Sequence, residues 1–267
     1  MYCASRTSVC DGGVRQDERD PFDNALRCAR EAAYPAGEYV EQESLMSAEE
    51  IWTLATQAGV ASGVSVLDLC CGVGGPGRLI TWKLGCSYLG VDASASAVGI
   101  ARARAGRLPC RFQVGHVPPL PPGAFDVVLL LETMLAFPDK AALVEEVSRV
   151  LPAGGRFAFT LEEGDPLTGS ERQAMPDADT VWLTPLEEMH RILAHNGLAV
   201  RWKEDWSRSH RAMADSLADA YESDSAAIAS RVGRRAADEL VAAHRLWSEW
   251  LTTGRVRKIA VVAELAG

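Results

Sequence analysis

Residues 66–77 read Val-Leu-Asp-Leu-Cys-Cys-Gly-Val-Gly-Gly-Pro-Gly, and no other stretch limits the fold as much. Apolar, β-prone residues end abruptly in glycines, and residues 78–84 then carry a helical pattern, so a strand feeds a tight turn into a helix. Glycines remove the Cβ atoms that would hold a ligand off the backbone, and the helix start adds unpaired N–H groups. The stretch reads as a cofactor cradle.

Strand-like and helix-like segments alternate on both sides of it. Residues 65–69 form the first predicted strand and 87–91 the second, followed by an alanine-rich helix over 94–105. A third strand over 111–114 leads into a proline-rich loop. Residues 125–131 are apolar but for Asp126, as in a strand buried on both faces of a parallel sheet. Pro138 and Asp139 then open a helix carrying Leu143, Val144, Val147 and Val150. Gly154 and Gly155 stop it before a strand over 156–161. Further on, Thr184-Pro185-Leu186-Glu187 has the pattern of a capping box with proline in the first turn. A strand over 198–205 follows, then a helix-compatible stretch over 206–254 and a last strand over 257–264. Upstream, Ser47 and Glu50 make a second capping box, for a helix with Ile51, Trp52, Leu54 and Ala55 as its buried stripe.

The expected fold is α/β: a doubly wound, mostly parallel, seven-stranded Rossmann-like sheet with an N-terminal helical arm and a helical lid inserted before the last strand. The expected divisions are a tail and covering helix over 1–62, a cofactor-binding core over 63–205, a lid over 206–254 and the core's final strand over 255–267. Residues 1 to about 36 are polar and without sustained periodicity, so a loosely docked tail is expected there.

A net charge of -9 argues against a nucleic-acid surface, because neutralising phosphates needs concentrated Lys and Arg. No apolar run reaches the length of a membrane span, and charges near the N-terminus interrupt any signal-peptide pattern. A cytoplasmic protein is expected, with a small-molecule substrate and, as an open alternative, a second copy of the chain as partner. Cys3, Cys10, Cys28, Cys70, Cys71, Cys86 and Cys110 form an odd set without a Cys-x-x-Cys pair or zinc-spaced histidines. They read as reduced thiols, and no metal is expected.

Gly72-x-Gly74-x-x-Gly77 satisfies the dinucleotide fingerprint, with Asp92 at the distance of a ribose-binding acid. A nicotinamide-dependent oxidoreductase is one reading of it. Asp68, inside the strand four residues before the first glycine, argues for another. The order Asp68-Leu-Cys-Cys-Gly72-Val-Gly74, Leu89-Gly-Val-Asp92-Ala93-Ser94, Gly115-His116-Val117-Pro-Pro-Leu-Pro121 with Phe125-Asp-Val-Val, and Leu151-Pro-Ala-Gly-Gly-Arg156 resembles the motifs of class I S-adenosylmethionine-dependent methyltransferases. Cys70 replaces the first glycine of that pattern. His116 stands where the pattern has an acid.

The resemblance implies S-adenosyl-L-methionine as cofactor. It implies Asp92 and Ala93 at the ribose, and Asp68, Gly72 and Gly74 around the methionine moiety. His116 and Val117 fall near the adenine, and Tyr39 and Gln42 in a segment folded over the cofactor. Glu132, directly after the central strand, lies at the carboxyl edge where ligands bind in such sheets. Glu162 and Glu163 are candidate bases, and in the lid His210 and His244 are alternative bases for an O-methylation. Trp202, Trp206, Arg208 and Trp247 are candidate substrate contacts. The expected reaction is methyl transfer to a small, largely apolar metabolite in specialised metabolism. Two alternatives stand beside it. One is C-methylation of an isoprenoid diphosphate held by Arg201, Arg208 or Arg211, with a Glu base and aromatic cation stabilisation. The other is a methyltransferase-like cyclase.

Overall fold

The computed structural model describes residues 21–267, with side chains from residue 26 onward. Cys3, Cys10 and the first twenty residues of the expected tail lie outside the described residues. The strands are β1 (Ser65–Leu69), β2 (Ser87–Asp92), β3 (Cys110–Val114), β4 (Val127–Leu130), β5 (Arg156–Glu163), β6 (Leu198–Asp205) and β7 (Arg257–Leu265). They form one sheet in the order β3-β2-β1-β4-β5-β7-β6, parallel except for β7, which runs antiparallel to both neighbours. The order reverses between β1 and β4, which pair from Val66 with Val127 to Leu69 with Leu130. In open α/β sheets the crevice beyond the carboxyl ends at such a reversal is where ligands bind.

The two-residue period of the strands sends alternate side chains to two cores. Leu67, Leu69, Val128, Leu130, Phe157 and Phe159 face α5 (Lys140–Val150) and α7 (Leu186–His195). Val66, Val127, Leu129 and Ala158 face α2 (Ala48–Gln57), α3 (Gly75–Leu84) and α4 (Ala95–Ala105). Burial on both faces explains why β4 has no polar position. Ser47 and Glu50 form the capping box of α2.

Two expectations are corrected. Residues 21–33 form helix α1 (Pro21–Ala33), and Leu26 and Ala29 are fully buried. What reads as a tail is a helix whose apolar stripe needs a distant partner: α8 (Ser207–Ser223), α9 (Ser225–Val232) and α10 (Arg234–Thr253) share a third core with it. Thr184 does not cap α7. It bridges to Glu163 beside β5, and Pro185 takes the cap position without a side-chain bond. Among the described residues no helix is long and apolar enough to cross a membrane.

Candidate active site

The turn after β1 is held open by its backbone. Cys70, Gly72 and Gly74 all have positive φ, at 60°, 54° and 75°. A Cβ on Gly72 would meet nothing within 4 Å, so this glycine borders open space. A Cβ on Gly75 would stand 1.9 Å from the carbonyl oxygen of Val40, so the covering segment lies directly on the helix start. Asp92, at the end of β2, accepts from Gly72 N–H at 2.9 Å and Ser94 N–H at 2.8 Å, one bond to each oxygen. Each oxygen keeps acceptor capacity for a ligand. Asp68 is buried and accepts from the Tyr88 hydroxyl. Burial pushes its pKa up to about 7, and the nearby Asp92 charge adds to the rise, against the Tyr88 bond.

Asp68, Gly72 and Asp92 line a cavity of about 820 Å³ at the carboxyl ends of β1, β2 and β4, with Gln42, Cys70, Glu132 and Thr133. A second cavity, of about 800 Å³, lies beneath α8 and α10 and is walled by Leu45, Met175, Val181, Leu217, Leu240 and Trp247. Glu43, Ser44 and Thr180 line both. The polar groups of the second cavity come from distant elements. Arg30 Nε donates to the Tyr221 hydroxyl at 3.1 Å, and Arg30 Nη1 lies 3.3 Å from Glu43. The Tyr221 ring meets His244 edge-on, with centroids 5.1 Å apart.

Behind the junction runs a buried ionic chain. Lys258 bridges Glu132 and Glu162. His210 sits between Glu132, 3.6 Å from Nδ1, and Glu50, 3.3 Å from Nε2, and stacks on Trp206. Burial alone would raise the Glu132 pKa, but the charges of Lys258 and His210 outweigh it and lower it. Burial would lower that of Lys258, but its two carboxylates raise it. Glu132 adopts φ of 62°, donates from its N–H to Thr160 at 2.8 Å and accepts from Leu45 N–H at 2.9 Å. It ties the segment covering the first cavity to the sheet.

Of the residues singled out in the sequence, the structure gathers Gln42, Asp68, Gly72, Asp92 and Glu132 at the first cavity and His244 and Trp247 at the second. Gln42 uses its side chain within its own loop: Oε1 accepts from Val40 N–H, and Nε2 donates to the carbonyls of Glu38 and Met46. The Tyr39 ring lies tilted against Tyr34 instead, with centroids 5.4 Å apart, and Gly74 caps α3 against Phe112. Ala93, His116 and Val117 are not among the residues lining the first cavity; His116 is exposed and Val117 packs on the core. Trp202 and Trp206 pack in the core beside α2, and Arg208 is exposed, so none of the three reaches the second cavity. Glu163 pairs with Arg257 at 2.9 Å near the surface. Glu162 and His210 face a small pocket of their own with Lys258. Sequence spacing gave no sign of Arg30, Glu43, Tyr221 or Lys258, because their partners lie far along the chain.

Residues 67–159 match the family described as a methyltransferase domain. The chain is 28% identical over 161 residues to the ajmaline N-methyltransferase of Rauvolfia serpentina, covering 54% of this chain and 55% of that one. It spans about a third to about half the length of the curated relatives first matched. Among solved structures, a cyclopropane synthase from Mycobacterium tuberculosis superposes with a TM-score of 0.77 at 14% identity, over 93% of this chain and 95% of that one. A [4+2]-cyclase superposes with a TM-score of 0.73 at 20% identity, over 92% and 94%. At these identities the superpositions establish the fold alone.

Proposed function

We propose that this chain works as a class I S-adenosylmethionine-dependent methyltransferase, in keeping with its match to a methyltransferase domain, and that it methylates a small, largely apolar metabolite of specialised metabolism. One observation carries the reading: a cavity lined by Asp68, Gly72 and Asp92 shares Glu43, Ser44 and Thr180 as lining with a second, largely apolar one. A donor and an acceptor placed in the two would meet at the shared wall.

The first cavity fits the cofactor. Asp92, fixed by two backbone donors, has acceptor positions left for a pair of ribose hydroxyls. Asp68 is a buried carboxyl that an ammonium group would ionise, and Gly72 leaves the floor bare. When bound, S-adenosylmethionine supplies an activated sulfonium methyl. The protein then has to align the acceptor and exclude water. The covering segment, anchored through Leu45 to Glu132, excludes water from one side, and α8 and α10 roof the acceptor from the other. We assign residues 63–205 and 255–267 to the donor-binding core and 206–254 to the roof.

The acceptor cavity does not suit a diphosphate. Its lining holds one guanidinium, Arg30, against the carboxylates of Glu43, Asp177 and Glu239. Arg201 pairs with Glu264 at the surface, and Arg208 and Arg211 are exposed. An anionic ligand would lose hydration without gaining a net counter-charge. Calorimetry with S-adenosylhomocysteine, NAD and NADP, together with transfer of labelled methyl to an extract of apolar metabolites, tests the assignment. Binding of S-adenosylhomocysteine alone and label in an organic-soluble product are expected. Binding of a nicotinamide cofactor instead, or product without label, would refute it.

A further inference from the structure

Within the acceptor cavity, Tyr221 and His244 present opposite hydrogen-bonding characters side by side. The Tyr221 oxygen accepts from Arg30 Nε, so its own proton is left to donate. His244 Nδ1 lies 2.8 Å from the carbonyl oxygen of Leu240. A carbonyl only accepts, so Nδ1 carries the ring proton and Nε2 of the neutral ring is an acceptor. Burial pushes the His244 pKa down to about 4, which keeps the ring neutral at physiological pH. Among the described residues, neither the Tyr221 proton nor His244 Nε2 has a partner. Both residues line the cavity, amid Leu217, Leu240 and Trp247.

The charges around this pair are paired or solvated. Arg30, from α1, is paired with Glu43 of the covering segment, Glu239, five residues before His244 on α10, is paired with Arg235 at 2.7 Å, and Asp177, which also lines the cavity, is exposed. A charged group entering here finds no buried, uncompensated partner for its desolvation. A hydroxyl suits the pair, since its one oxygen donates to the imidazole and accepts from the phenol at once. An ether or ketone only accepts, a carboxylate carries charge and only accepts, and an ammonium only donates.

We propose that Tyr221 and His244 form a recognition site for an uncharged hydroxyl group, so that the acceptor is an apolar alcohol or phenol anchored through that hydroxyl. This rests on the reading that the second cavity holds the acceptor. It assigns the two residues to binding and specificity.

Calorimetry on the full chain saturated with S-adenosylhomocysteine, using 2-naphthol, 2-methoxynaphthalene, 2-methylnaphthalene and 2-naphthoate as probes, tests it. 2-Naphthol should bind about tenfold more tightly than the other three, the expected scale for a buried group left with or without its partner. His244→Phe should abolish that preference while leaving 2-methylnaphthalene unchanged, and His244→Gln, which keeps an acceptor oxygen, should restore part of it. Equal binding of the naphthol and its methyl ether, tightest binding of the naphthoate, no binding of any probe, or an intact preference in His244→Phe would each overturn the proposal. Should His244→Phe fail to fold, the four probes on the unaltered protein still decide. Binding of S-adenosylhomocysteine, recorded in the same samples, reports on the donor site separately.

Discussion

The two cavities that meet at Glu43, Ser44 and Thr180 are built in opposite ways. The donor cavity is made largely of short consecutive segments at strand ends: the turn 68–76 after β1, Asp92 at the end of β2, and residues 131–136 after β4. Much of its recognition is backbone, through bare glycine and a carboxylate held by N–H groups. The acceptor cavity is made of single side chains from α1, the covering segment, the loop 175–181, α8 and α10. The first kind of site tolerates change elsewhere, because its geometry is set by local sequence. The second depends on how these five distant elements dock, and any change in docking changes the ligand it takes.

The ionic chain behind both cavities offers the strongest way to break this contrast. Lys258→Met would leave Glu132 and Glu162 buried without their shared cation, and a loss of about 3–5 kcal/mol in urea unfolding is expected. Because Glu132 also anchors Leu45, both cavities should suffer together; a variant as stable as the parent would mean that the chain is not ionised as drawn. Asp92→Ala should act on one cavity only, weakening S-adenosylhomocysteine binding about a hundredfold by calorimetry through lost charge-assisted bonds, while 2-naphthol affinity stays the same.

Asp68 sharpens the contrast through pH. Its pKa in the folded protein is raised from the ordinary 3.8 to about 7. The folded state thus holds a proton that the unfolded chain has released, so this contribution to stability is fully present below about 4 and is lost as pH rises through about 7. A ligand ammonium that requires the carboxylate should therefore bind about tenfold less tightly at pH 6 than at pH 8. Asp68→Asn should flatten both dependences, and an unchanged pH profile of S-adenosylhomocysteine binding would remove Asp68 from the site. The smallest effect belongs to the turn. Cys70→Gly relieves a left-handed residue but adds chain entropy to the unfolded state; each term is about 1 kcal/mol, so melting should shift by no more than a few degrees.

Periodicity sufficed for most of the fold, because a strand buried on both faces and a helix buried on one leave different local patterns, as in residues 127–130 and 140–150. It failed for α1, where the apolar stripe is short and interrupted by charges that only α8, α9 and α10 make tolerable. It failed again at Thr184, whose cap pattern yields to a bridge with Glu163. The aromatic-rich C-terminal third shows the same limit: Trp206 and Trp247 are alike in sequence, yet one packs under the sheet and the other walls a cavity.

The sequence by itself determined the turn proposed as the donor cradle, because a glycine turn between a strand and a helix, with an acid in the strand and another at the end of the next, is written within 25 residues and is built through backbone. The tertiary structure alone decided the acceptor side. Arg30, Glu43, Tyr221 and His244 are separated by up to 214 positions in number, and nothing local in the sequence brings them together. Their chemistry arises from burial and from one another: a guanidinium neutralised by a carboxylate, a phenol left with its proton, and an imidazole whose tautomer a helix carbonyl fixes.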